Sequence, residues 1–340
     1  MKKNPVLLTT GIGSVPFIRG DNFCQKVFRD WDIPFWPQYP ARSLRENMLF
    51  QFIGRFPGLE VSDAAATFHE SVFEKKAAAY EKELKQCFLK NDFSSFQPTA
   101  EWALGYFELL NLMEENLFPE KQTIKLQMTG TATVWQCFFK DKVTTKSRLR
   151  VQDDLLQTLI ATGLAQIQML NRYERIPFIF IDEPVLSEEN SSIAKMVETF
   201  KRFHAKVGLH VCSQLDWRNF NGLDLDFFHF DVTTHKNLNE SHILFLRNFL
   251  KSGNRVVWGV TPTSNKLVLK PENVLPIIHN WLDKISDSTL SVRGILAQSL
   301  LAPACGMGGF SEAQYDAVCE SMKMIKKSLD SCRRRSILRK

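Results

Sequence analysis

The feature that most limits how this 340-residue chain can fold is a repeated order: a short apolar run, a polar or Gly/Pro break, then a longer helical stretch. Such runs occupy residues 6–11, 33–38, 124–130, 177–182, 206–212, 226–231, 255–260 and 297–303. Several are apolar at consecutive positions, as strands covered on both faces must be. Residues 64–89, 151–174, 191–204, 241–252, 272–286 and 312–329 read as the intervening helices. Strand–helix alternation predicts an α/β protein, and eight strands predict a closed (β/α)8 TIM barrel. Pro34 and Pro37 make the second run a poor ladder strand.

Residues 1–330 are expected to form one barrel and residues 331–340 a basic tail. Arg333, Arg334, Arg335, Arg339 and Lys340 explain much of the net charge of +6, and the tail reads as solvated rather than as a nucleic-acid contact. The 44% hydrophobic content supports a buried core and excludes disorder as the main state. The longest apolar stretches fall well short of the roughly 20 residues that span a bilayer, so no membrane partner is expected. The N-terminus lacks a long apolar segment and reads as a first strand rather than a signal peptide. Seven scattered cysteines suit reduced thiols in a cytoplasmic protein.

In such a barrel the chemistry gathers where the strands end. His210 and Cys212 close the fifth run, two residues apart, so imidazole and thiol face the same side. Asp231 ends the sixth, and Cys305 follows the eighth in a glycine-rich loop. Imidazole, two thiolates and a carboxylate are a tetrahedral zinc donor set, and zinc suits thiol chemistry because it holds a bound thiol as thiolate. Asp182 and Glu183 close the fourth run. Helix capping or a salt bridge is one reading of them, and an ammonium group of a substrate is the other. At the end of the first run, glycines around Ile12 and Ser14 let backbone N–H groups and a hydroxyl approach a carboxylate.

Residues 9–16 (Thr-Thr-Gly-Ile-Gly-Ser-Val-Pro), 129–133 (Thr-Gly-Thr-Ala-Thr), 181–184 (Ile-Asp-Glu-Pro), 210–212 (His-Val-Cys) and 304–306 (Ala-Cys-Gly) together resemble the catalytic barrel of cobalamin-independent methionine synthase. That family shares a superfamily with uroporphyrinogen decarboxylase. The resemblance implies a methyltransferase with Zn2+ held by His210, Cys212, Asp231 and Cys305. It implies homocysteine as the thiol substrate, its carboxylate at Ile12 and Ser14 and its ammonium at Asp182, with Glu183 beside it. Two positions depart from the family. Phe50 stands where a second acidic group is expected, and Thr263 stands where the family has a histidine proton donor. A folate amine needs protonation to leave, so the expected donor is a methylcorrinoid such as methylcobalamin, free or on a corrinoid protein. Two other readings are a metal-free, decarboxylase-like lyase, with Arg42 and Arg45 as its carboxylate holders, and a non-catalytic zinc-binding barrel.

Overall fold

The computed structural model describes residues 7–17, 23–115, 117, 123–186, 191–213, 215–235, 239–262 and 270–335. Its strands are β1 (Leu8–Thr9), β2 (Leu59–Val61), β3 (Ala66–Phe68), β4 (Lys125–Thr129), β5 (Phe178–Asp182), β6 (Lys206–Val211), β7 (Phe227–Asp231), β8 (Arg255–Thr261) and β9 (Ser299–Pro303). Its α-helices are α1 (Phe23–Asp30), α2 (Glu70–Lys90), α3 (Leu104–Glu114), α4 (Thr131–Val134), α5 (Arg148–Arg172), α6 (Ser191–Arg202), α7 (Glu240–Lys251), α8 (Pro271–Ile285), α9 (Val292–Ala297) and α10 (Glu312–Arg335).

Seven strands make one curled parallel sheet in the order β1-β9-β8-β7-β6-β5-β4. Each falls within one of the predicted apolar runs, or overruns it by a residue. Every residue of β4, β5, β7 and β9 is buried, which is why these segments are apolar without alternation.

The second run is where the structure departs from eight strands. Residues 33–38 form no regular strand, although they lie between the two edge strands of the sheet. Ile33 and Gln38 donate their N–H groups to Thr9 O and Gly13 O, both at 2.9 Å. On the other side, Lys125 N–H donates to Pro34 O at 2.8 Å. Only isolated bridges result. Pro34 and Pro37 have no N–H to give, so a continuous ladder cannot close this seam.

Two layers of core hold the sheet. The larger lies between the sheet and its helices, and includes Leu126, Ile179, Leu209, Phe228, Trp258 and Leu301. The smaller fills the inner face, with Ile12, Ile33, Phe178, Phe180, Phe227, Val257, Leu300 and Ala302. Phe178 and Phe227 meet there with ring centroids 4.2 Å apart. Because side chains alternate along a strand, the inward positions above Phe178, Phe180 and Phe227 belong to Asp182, His229 and Asp231. The packed lower layer fills the interior beneath the polar groups that gather toward the strand ends.

Helices α1, α3, α4 and α9 lie outside the six expected, and two of those six differ from expectation. The stretch predicted as helical from residue 64 begins instead with the β2–β3 hairpin, and α2 starts at Glu70. Helix α10 continues to Arg335, so the backbone of the basic segment is helical as far as that residue. No described helix is long and apolar enough to cross a membrane.

Candidate active site

His210 faces inward from β6, and Cys212 follows one residue after the strand ends. Cys305 arrives in the loop beyond β9, which is tied to β8 by a hydrogen bond from Ala304 N–H to Thr261 O at 2.8 Å. His210, Cys212 and Cys305 therefore offer donor atoms that all lie within 4.8 Å of one another. Cys212 Sγ and Cys305 Sγ are 3.9 Å apart, and Cys305 Sγ is 3.9 Å from His210 Nε2. A tetrahedral zinc bound at about 2.3 Å from sulfur and 2.1 Å from nitrogen requires donor separations of about 3.6–3.8 Å. The three residues thus fit zinc in chemistry, and two of their three separations match its spacing. The hydrogen bond between the thiols and burial hold the Cys212 thiol up, while that bond and His210 bring Cys305 well below the ordinary thiol range.

Asp231 stands outside this trio. Its carboxylate accepts from Thr233 N–H and the Thr233 hydroxyl, both at 2.7 Å, and from the Thr234 hydroxyl. It thereby caps the turn that follows β7. The strand position beside His210 is taken by His229. His229 Nδ1 lies 2.5 Å from His210 Nδ1, and its Nε2 lies 3.1 Å from Pro303 O. Burial pushes the pKa of His229 well below that of an ordinary imidazole.

A cleft of about 420 Å³ opens beside the donors, its wall including Ile12, Ser14, Gln38, Glu46, Asn47, Met48, Asp182, His210, Cys305 and Gly306. Ser14 is fastened to the Cys305 loop, since Met307 N–H donates to Ser14 O at 2.9 Å and Gly308 N–H to Ser14 Oγ at 3.3 Å. A Cβ at position 306 would come within 2.1 Å of Ser14 Oγ, so only glycine allows this approach.

The two carboxylates after β5 divide between the two readings open to them. Asp182 borders the cleft, and its Oδ1 is buried with no hydrogen-bond partner. Lys125, at the first position of β4, acts on it as a nearby charge without a direct ion pair. The Lys125 ammonium donates to Ile12 O at 2.6 Å and lies 5.1 Å from the Phe180 ring centroid. Burial pushes the Asp182 carboxyl up and the Lys125 ammonium down, and each charge partly restores the other. Glu183 points elsewhere and does not line the cleft. Its Oε1 accepts from Ala132 N–H at 3.0 Å, and its Oε2 accepts from Thr133 N–H at 2.7 Å and the Thr133 hydroxyl at 2.6 Å. Glu183 therefore caps the start of α4, where a carboxylate meets free N–H groups. Burial nonetheless pushes its carboxyl up to about 7.

Phe50 is buried, with its ring centroid 4.9 Å from that of Phe138, and supplies no charge. Glu46 does border the cleft. Its carboxylate is engaged by Tyr39 N–H at 3.0 Å, Leu104 N–H at 3.3 Å and the Arg42 guanidinium. Arg45 pairs with Glu101 and Asp63, so both arginines considered for a carboxylated ring face acidic partners and neither borders the cleft. Thr263 lies outside the described residues. Lys125 was missed in the sequence, although a lysine between Ile124 and Leu126 is the signal that marks it. His229 is legible in the sequence from its i, i+2 spacing to Asp231, as an alternative ligand on the same strand face.

No protein-family model matches the sequence, and no curated protein matches it. Among solved structures the chain is similar to a B12-independent methionine synthase from Shewanella sp. W3-18-1, determined in complex with selenomethionine. The two share 13% identity with a TM-score of 0.57, over 98% of this chain and 100% of that one. The likeness is one of fold.

Proposed function

We propose that this chain is a zinc-dependent methyltransferase that methylates a thiol, with homocysteine as acceptor and methionine as product. Residues 33–38 stand as the eighth stave of a (β/α)8 barrel whose mouth holds the site. The observation that carries the reading is the convergence of His210, Cys212 and Cys305 beside a cleft that the unpartnered Oδ1 of Asp182 borders. Zinc held by those three residues supplies Lewis acidity that keeps an incoming thiol as thiolate near neutral pH.

The remaining work falls to the chain itself. Asp182 receives the ammonium of the amino acid, which satisfies Oδ1 and adds a second cation to the one Lys125 already provides. The hydroxyl of Ser14 and the backbone at Ile12 receive the carboxylate. Those two anchors fix the side-chain sulfur toward the Cys305 end of the cleft, and the sulfur attacks the methyl carbon as its bond to the carrier breaks. The fold neighbour is B12-independent by name, which weighs against the methylcorrinoid donor expected from the sequence. The donor is assigned by two arms of one assay.

The test begins with zinc content of the reduced, purified protein and of Cys305→Ser. Homocysteine methylation is then followed with methylcobalamin in one arm and a methylated tetrahydrofolate in the other. One zinc per chain in the wild type, lost in Cys305→Ser, with methionine formed in either arm, is the expected result. A reduced wild-type chain without stoichiometric zinc overturns the proposal.

A further inference from the structure

We infer that His229 is a positioning residue that fixes the tautomer and ring orientation of His210, and so sets how tightly the site holds its metal. The inference rests on the zinc reading above and goes beyond it, because it concerns a residue that contacts no ligand atom directed at the metal. His229 and His210 are register partners on β7 and β6, with ring centroids 4.5 Å apart. Exposure is 0% for one and 1% for the other, so no water competes for their nitrogens.

The proton positions follow from the partners. Pro303 O only accepts, and His229 Nε2 is 3.1 Å from it, so Nε2 carries the hydrogen of that ring. A neutral imidazole has one such hydrogen, which leaves His229 Nδ1 as an acceptor. That acceptor lies 2.5 Å from His210 Nδ1, so His210 Nδ1 is the donor. His210 Nε2 is then the free lone pair, and it is the nitrogen 3.9 Å from Cys305 Sγ. The opposite assignment would set two lone pairs against each other at Pro303 O. Metal-bound histidines generally give their second N–H to an acceptor that fixes the ring, and here a second histidine fills that place. The same relay ties β6 to Pro303, two residues before Cys305, so it couples two of the three donors. Gly259 leaves the ring room, since a Cβ there would lie 3.1 Å from His229 Nε2.

The experiment uses the full-length, metal-free chain. Zinc affinity is measured by competition with a chromophoric chelator for wild type, His229→Leu and His229→Asn. Asn keeps an acceptor close to where Nδ1 stood, whereas Leu removes it. His229→Leu should weaken zinc binding by about 10- to 100-fold, and His229→Asn should recover most of that loss. Spectra of the wild type labelled with 15N-histidine, which need no variant to fold, should show His210 protonated at Nδ1 and His229 at Nε2. Wild-type affinity in His229→Leu, equal losses in both variants, or the reverse tautomers overturns the inference alone. A wild type that binds no zinc overturns the metal reading together with it.

Discussion

Replacing Glu183 by alanine separates a fastening carboxylate from a substrate-binding one. In the native chain its two oxygens receive Ala132 N–H, Thr133 N–H and the Thr133 hydroxyl. The hydroxyl can rotate to another partner after the change, but the two backbone N–H groups are fixed at the start of α4. Each orphaned backbone donor costs about 1–3 kcal/mol, so a total loss of about 2–6 kcal/mol is expected. At about 2 cal/mol/K of unfolding entropy per residue, a chain of this length should lose roughly 5 °C in Tm. Thermal and urea unfolding read the loss directly. Thiol-methylation assays, corrected for the folded fraction and run well below the variant's Tm, should show a KM for the thiol within about threefold of wild type. The reasoning fails if Glu183→Ala keeps the wild-type Tm while that KM rises tenfold or more, because the carboxylate would then be a substrate group.

Two further outcomes follow from close contacts and from burial. Gly306→Ala drives a Cβ toward Ser14 Oγ, so it should raise the KM for the amino-acid thiol while zinc content stays at wild-type level. Unchanged KM would show that Ser14 does not hold the substrate. Asp154 is buried on α5 beside Glu81, and desolvation with that neighbour pushes its carboxyl up to about 7. Its folded pKa exceeds the unfolded value of about 3.9, so the stability it contributes is full below pH about 4 and is lost as pH rises through about 7. Asp154→Asn should flatten that part of the stability–pH curve, as measured by urea midpoints, and an unaltered slope would refute the assignment.

The seven ladder strands were legible because two-sided burial demands uninterrupted apolar runs, and such runs ending in polar residues admit few other readings. The second run failed as a strand for a reason its own composition contains. Pro34 and Pro37 remove donors that a ladder needs, yet a segment in that gap still finds single hydrogen bonds on both sides. The start of α2 was lost for a different reason: residues 59–68 pair with each other in a hairpin that no alternation announced. In the site, spacing placed His210 and Cys212 together, since residues two apart in an extended chain share a face. That Cys305 joins them depends on the order in which strands neighbour one another, which periodicity does not encode.

Asp231 and His229 show where reading one residue at a time stops. Both lie on the inner face of β7, and ligand chemistry alone favours the carboxylate as the metal-facing group. The structure engages the two differently, through residues neither of them resembles. Thr233 and Thr234 follow Asp231 closely enough to take its oxygens into a turn, and β9 brings a carbonyl within reach of His229. Once the carboxylate is spent on the turn, His229, wholly buried, is the inner-face side chain of β7 left to meet His210. The same argument accounts for Lys125. A buried carboxylate such as Asp182 is costly without a nearby cation, and the inner face supplies one from the far end of a neighbouring strand, 57 positions away in the sequence. The Asp182 charge is thus balanced from another strand, so changing Lys125 to Met should push the Asp182 carboxyl further up even though the lysine does not border the cleft.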